Sequence, residues 1–114
     1  MAAQDDHGTL FERLMALNHE AFAAAHYNTA YHTLAAALHE AQYEQDAAYL
    51  AAVQRVATEQ LAGIDQMAPA YEHSTASAAA RGHTSIFALL ASQAHVRLLL
   101  VQHKPKGRHA APVP

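Results

Sequence analysis

Residues 27–43, YNTAYHTLAAALHEAQY, decide the fold class of the chain. Apolar residues recur there at every third or fourth position, which is the period of one face of an α-helix. The stretch also contains three consecutive alanines, and alanine has the highest helix propensity of all residues. These features predict a helix over this stretch. Its inward face is expected to carry Tyr27, Ala30, Leu34, Ala37, Leu38 and Ala41.

The composition extends this prediction to the whole chain. Of the 114 residues, 29 are alanine, whereas valine, isoleucine, threonine and tyrosine, which favour strands, are sparse. The sequence therefore predicts an all-α protein, in the form of a four-helix, mostly antiparallel bundle with a long C-terminal helix. A chain of this length forms one domain. We assign the domain to residues 9–103, between an N-terminal arm at 1–8 and a flexible, basic, proline-containing tail at 104–114.

Capping signals place the starts of the first and third helices. Thr9 and Glu12 have the spacing of a capping box, and Asp46 is a suitable N-cap for the third helix. The first helix is expected to end near Ala25, with Phe22 at the edge of its inward face. The other inward residues are expected to be Leu10, Leu14, Leu17 and Ala21 in the first helix, and Leu50, Val53, Ala57, Leu61 and Ile64 in the third.

The C-terminal part of the domain reads as one long helix from about Ser74 to His103. An apolar stripe keeps its helical phase past Gly82, which favours a continuous helix over a break at Gly82 with Thr84 as a new N-cap. The stripe consists of Ala76, Ala80, His83, Phe87, Leu90, Ala94, Leu98 and Val101.

A second apolar stripe lies on the opposite side of this predicted helix. It consists of Ala78, Gly82, Ser85, Leu89, Val96 and Leu100. One bundle core cannot cover both stripes, and an exposed apolar strip of this length marks a contact surface. The sequence therefore predicts a homo-oligomer, most simply a dimer, with this stripe as its interface. The alternative is that the third helix or the C-terminal tail covers the stripe within one chain.

Charge and hydropathy narrow the classes of function. The formal net charge is −3, and residues 1–103 contain four arginines and no lysine against ten acidic residues. This excess of negative charge over residues 1–103 disfavours binding to nucleic acid, whose phosphates are also negatively charged. No apolar run approaches the roughly 18 residues of a membrane span, and the first residues do not resemble a signal peptide. We therefore expect a cytoplasmic protein without membrane contact. The lack of cysteine excludes disulfides and thiolate metal sites.

Residues 10–44 resemble a single helical hairpin of the tetratricopeptide-repeat family. The matching residues are Ala25-His26-Tyr27-Asn28-Thr29-Ala30, followed by Leu34 and Ala37-Leu38; the family's first-helix tryptophan and closing proline are absent. Such repeats bind proteins, so the resemblance implies a partner protein. It favours a non-enzymatic domain for protein–protein interaction and self-association, although an ordinary antiparallel helix pair also fits these residues.

An enzymatic alternative depends on the segment from Arg97 to His103. An arginine followed by a histidine after five residues is similar to the spacing found in HEPN domains, and Arg13 and His19 repeat it. The resemblance implies a ribonuclease or a nucleotide-binding helical bundle. In such an enzyme Arg97 would stabilise a phosphate group and His103 would act as general acid or base.

The ten histidines suggest a further alternative, a metal- or pH-responsive module. Two ligands on one helix must lie three or four residues apart to reach the same ion. No histidine pair in the chain has that spacing, and His19 and His26, like His32 and His39, are seven residues apart. That separation is about 10 Å along a helix axis. We therefore predict no metal site and no cofactor, although His19, His39 and Glu40 remain a possible set of ligands from different helices.

Overall fold

The computed structural model describes residues 8–103, and this part of the chain is all-α, which confirms the predicted fold class. Five helices lie in it where four were predicted, because the expected long C-terminal helix is divided in two. The helices are α1 (Leu10–Ala23), α2 (Tyr27–Glu44), α3 (Ala47–Met67), α4 (Thr75–Ala80) and α5 (Ile86–Gln102). The predicted N-terminal arm, apart from Gly8, and the predicted tail lie outside the described residues.

The predicted caps of α1 and α3 are confirmed. The backbone N–H of Glu12 donates to Thr9 Oγ1 at 3.1 Å, and the backbone N–H of Thr9 donates to the Glu12 carboxylate at 3.0 Å. The side chain of Asp46 accepts a hydrogen bond from the backbone N–H of Tyr49 at 3.0 Å. These bonds satisfy donors that have no partner within the helix itself.

The prediction of one long helix from Ser74 to His103 is wrong, because the chain turns at Gly82. Gly82 has a φ of +76°, and the backbone N–H groups of Gly82 and His83 donate to the carbonyls of Ala79 and Ala78 at 2.9 Å each. This pattern is a Schellman motif, which ends a helix and needs a residue with positive φ. The break is at the alternative position, but Ser85, and not Thr84, caps α5.

The helices form two hairpins that stack side by side. In the first, α1 and α2 are joined by a short turn; in the second, α3 and α5 lie antiparallel, and α2 contacts both α3 and α5. The rings of Phe11 and Tyr49 stack with their centroids 3.9 Å apart, and the ring of Phe22 lies against Gly63, so α1 also lies along α3. This arrangement leaves one side of α5 without a neighbouring helix.

The buried face of α2 is as predicted, apart from Tyr27, which is only partly buried. In α3 the predicted Leu61 is partly buried, while Val56 and Gln60 join the core. Of the apolar residues that are buried in the described part, seven are alanines: Ala21, Ala30, Ala37, Ala41, Ala57, Ala78 and Ala94. Alanine lets helices approach closely but contributes little buried area, so much of the core consists of small side chains.

Two predicted inward faces need correction. In α1, Leu10 and Leu17 are about half exposed, and Phe11 and Asn18 are buried in their place. The face is rotated by one residue because the Asn18 side chain bonds to α2 and α3. After the break at Gly82 the C-terminal stripe also loses its phase. Its members Ala76, Ala80 and His83 are exposed, whereas Phe87, Leu90 and Ala94 are buried.

Candidate interaction face

The outer side of α5 carries an apolar strip, which we call the α5 face. It consists of Ile86, Leu89, Gln93, Val96 and Leu100 of α5 and of His103, the C-cap residue that follows, at alternating spacings of three and four residues. Leu89 and Val96 are each 52% exposed and Leu100 is 59% exposed, so three large apolar side chains of this strip are open to solvent, and the neighbouring Leu99 is 39% exposed. The opposite side of α5 packs against the rest of the chain, and Phe87, Leu90 and Ala94 are buried there. No other described helix has an exposed apolar strip of this length.

A groove of about 570 Å³ runs between the α5 face and α2. Tyr31 forms its wall on α2, and this ring is held by an edge-on contact with the ring of Phe87, with centroids 5.7 Å apart. Leu90 lines the groove beside Ile86, Leu89 and Val96. Apolar side chains therefore line the groove from both helices.

A smaller depression of about 260 Å³ lies next to this groove, toward the end of α5. Arg97 borders both spaces, so they follow one another along the boundary between α2 and α5. The smaller depression is lined by Gln42, Gln45, Leu50, Arg97, Leu100 and Val101. Together the two spaces extend along most of α5, which is the shape that an elongated partner element would fill.

The α5 face is almost free of charge. Arg97 is the single Asp, Glu, Lys or Arg residue between Ile86 and Gln102. Among the described residues, Arg55 forms an ion pair with Glu59 and the His73 ring lies 3.5 Å from the Glu72 carboxylate, and Arg97 takes part in neither contact. An apolar partner surface can therefore approach this face without displacing an existing salt bridge.

Of the six residues that were predicted to form the interface, the structure brings three together. Leu89, Val96 and Leu100 lie on one exposed strip, whereas Ala78 and Ser85 are buried within the chain, with exposures of 1% and 3%. The turn at Gly82 separates them, and Ser85 Oγ donates to the backbone carbonyl of His73 at 2.6 Å. Gly82 is exposed, but it lies in the turn before α5. Ala78 and Ser85 therefore do not belong to the exposed strip, and the interface itself stays a prediction.

The predicted interface lacked three residues of this face, Ile86, Gln93 and His103, and the wall that Tyr31 forms beside it. Ile86 and Gln93 were recognisable from the alternating spacing of three and four residues, which begins at Ile86. Tyr31 was not, because its place beside α5 depends on how the two hairpins stack.

The residues of the enzymatic alternative are not brought together by any hydrogen bond within residues 8–103. Arg97 lies on α5 and His103 is the C-cap residue six positions later, which places them about 120° apart around the helix axis. The ring Nδ1 of His103 lies 2.9 Å from the backbone carbonyl oxygen of Leu99. The ribonuclease hypothesis therefore gains no geometric support and stays a prediction.

A separate cluster around Tyr71 has a structural role. The Tyr71 ring contacts the rings of Tyr27 and His73, with centroids 5.2 and 5.5 Å away, and its hydroxyl donates to Asn28 Oδ1. Burial, with a smaller contribution from the neighbouring Glu72 carboxylate, raises the pKa of Tyr71 above its usual value of 10.0. The hydroxyl therefore stays protonated and keeps the connection between α3 and α4 attached to α2.

Metal ligands do not gather in the described part of the chain, where no three His, Asp or Glu residues lie close enough to share an ion. Within residues 8–103, no helix combines the length and hydropathy needed to cross a membrane. No protein-family model, curated protein or solved structure matches the chain.

Proposed function

We propose that the chain is a protein–protein interaction domain that binds through the α5 face and self-associates there. The observation that carries this proposal is the exposed strip of Leu89, Val96 and Leu100 beside a groove lined with apolar side chains. Single exposed apolar residues are common on soluble proteins, but a continuous strip on one helix marks a contact surface.

The energy available from this strip is modest. Covering a half-exposed leucine or valine contributes about 1 kcal/mol, so the six such side chains of a symmetric dimer contribute roughly 6 kcal/mol. Association also loses translational and rotational freedom, which costs at least about 4 kcal/mol. These three side chains alone therefore leave about 2 kcal/mol, so a dissociation constant in roughly the micromolar to millimolar range also requires the area around the groove beside Tyr31.

The resemblance of α1 and α2 to a tetratricopeptide-repeat hairpin supports the same class of function, because such repeats bind proteins. In this chain the second hairpin, α3 with α5, stacks on the first and α5 lies at the edge of the stack. The outer side of a terminal helix is where a further element would add in a stacked array.

Light scattering on the full chain, over a series of concentrations, tests the proposal. We expect the wild type to approach twice the chain mass of 12.3 kDa as the concentration rises. Val96→Glu and Leu100→Glu should each keep the protein monomeric, because they bury a charge in the contact. Leu17→Glu is the matched control, since Leu17 is 50% exposed but lies on α1. A monomeric wild type, or folded Val96→Glu and Leu100→Glu variants that still dimerise, would contradict the proposal.

A further inference from the structure

We propose that the α5 face packs against the α5 face of a second copy of the chain in antiparallel orientation, around a two-fold axis between Ala94 and His95. The inference rests on the proposed function, and it adds the orientation of the two copies and the register of the contact. In this register Leu89 lies opposite Leu100 of the second copy, Gln93 opposite Val96, and Ile86 opposite His103.

The spacing of the α5 face is that of a helix that pairs with another helix. The strip advances by three and four residues in turn from Ile86 to His103. This is the a and d repeat of helices that pack side by side, in which each side chain enters a hole formed by the facing helix. A twofold axis pairs a positions with d positions, and the register centred between Ala94 and His95 is the one that pairs all six positions of the strip.

The charge distribution favours a second copy over a charged partner. The described residues include eight acids and four arginines, but the α5 face contains no acid and is bordered only by Arg97. A strongly charged partner could form an ion pair with only one residue of this region, Arg97. A second copy presents an equally neutral surface, and an interface across a twofold axis must be complementary to itself.

The same charges favour the antiparallel orientation. In a parallel pair, Arg97 would lie beside Arg97 of the second copy, and the two helix dipoles would point the same way. The C-terminal ends of both α5 helices would also meet, where Lys104 and Lys106 follow in the sequence. In the antiparallel pair the dipoles oppose each other, and the two arginines are about 7–8 Å apart along the axis.

Gln93 would fix the register. It lies next to the two-fold axis, where its carboxamide can meet that of Gln93 in the second copy. The chain already contains a contact of this kind, because the Asn18 and Gln60 carboxamides exchange hydrogen bonds in the core. A polar residue that must find its equivalent at one position selects one register among otherwise similar ones.

Tyr31 would widen the contact beyond a single pair of helices. Two helices alone give a narrow interface, and specific interfaces usually bury at least about 1,000 Å² in total. The groove between Tyr31 and Val96 can receive side chains of the second α5, so α2 of each copy also takes part. The contact would then involve four helices, α2 and α5 of each copy.

Disulfide cross-linking of single-cysteine variants tests this geometry. The chain contains no cysteine of its own, so each disulfide must come from the introduced position. In the antiparallel register the two copies of position 96 lie about 4–5 Å apart along the helix axes, which allows a disulfide. The two copies of position 89 or of position 100 lie about 16 Å apart along the axes, which does not. Under mild oxidation we expect V96C alone to form a covalent dimer. L89C and L100C should each stay monomeric alone but cross-link when mixed in equal amounts.

The control is L17C, which is exposed to the same degree as position 96 and reports random collisions. Cross-linking of V96C and of the mixed pair at least tenfold above this control supports the inference. Efficient cross-linking of L89C or L100C alone would indicate a parallel pair or a shifted register and overturn the inference, while self-association through α5 would stand. If only the control level is found although the wild type is dimeric and V96E is monomeric, the partner binds the α5 face in another geometry and the inference is also wrong. A monomeric wild type would overturn both proposals.

Discussion

Asn18 and Gln60 exchange hydrogen bonds at the centre of the molecule. Asn18 Nδ2 donates to Gln60 Oε1 at 3.0 Å and to the backbone carbonyl of Ala30 at 2.8 Å, and Gln60 Nε2 donates to Asn18 Oδ1 at 2.7 Å. Both side chains are buried, so α1, α2 and α3 meet at one satisfied polar cluster. Because an unpaired amide would be costly at this depth, the cluster favours this alignment of the three helices.

We predict that the two amides depend on each other for their contribution to stability. Asn18→Leu or Gln60→Leu leaves the other amide buried without its partner, and each should lower the free energy of unfolding by about 1–3 kcal/mol. The double substitution replaces both polar groups by apolar ones and should cost clearly less than the sum. Urea unfolding of the four proteins measures this as a double-mutant cycle. Costs that simply add would contradict the prediction.

The turn at Gly82 decides which side chains share a face in the C-terminal elements. Its conformation is unfavourable for a residue with a Cβ, although an added Cβ would meet no atom within 4 Å. We therefore expect Gly82→Ala to lower the free energy of unfolding by about 1 kcal/mol through backbone strain alone. Gly82→Asn should cost less, because asparagine tolerates positive φ better. Thermal melts provide the measurement, and a stabilised Gly82→Ala variant would indicate a continuous helix over residues 74–103.

The same turn explains how far the fold was predictable. The buried face of α2 from Ala30 to Ala41 and the caps at Thr9 and Asp46 follow from local spacing and were predicted correctly. The apolar stripe past Gly82 kept its phase in the sequence, so only the backbone conformation of the glycine could reveal the break. Leu89, Val96 and Leu100 were placed on one face because they share α5. Asn18 was missed because its polarity indicates an exposed position, and its burial depends on Gln60, 42 residues away.

At the scale of the whole molecule, the stacking of two hairpins gives α5 neighbours on one side only. Its inner side packs on α3 and α2, while Leu89, Val96 and Leu100 face solvent. A small domain with an alanine-rich core has little apolar area to stabilise it, so the area added by a second copy is a large fraction of the whole. Folding and self-association should therefore be linked.

This linkage predicts that thermal stability rises with protein concentration. A partner that binds only the folded chain raises the melting temperature by mass action, and for a dimer of this size a hundredfold increase in concentration should raise it by roughly 5 °C once dimers dominate. Leu100→Glu should melt at the same temperature throughout the series, because the unfolding of a monomer does not depend on protein concentration. Leu17→Glu, with its charge on α1, should keep the concentration dependence of the wild type. Scanning calorimetry across the series measures all three. If the wild type and Leu100→Glu respond alike, the stability of the folded chain is independent of the α5 face, and the exposed strip contributes nothing to holding two copies together.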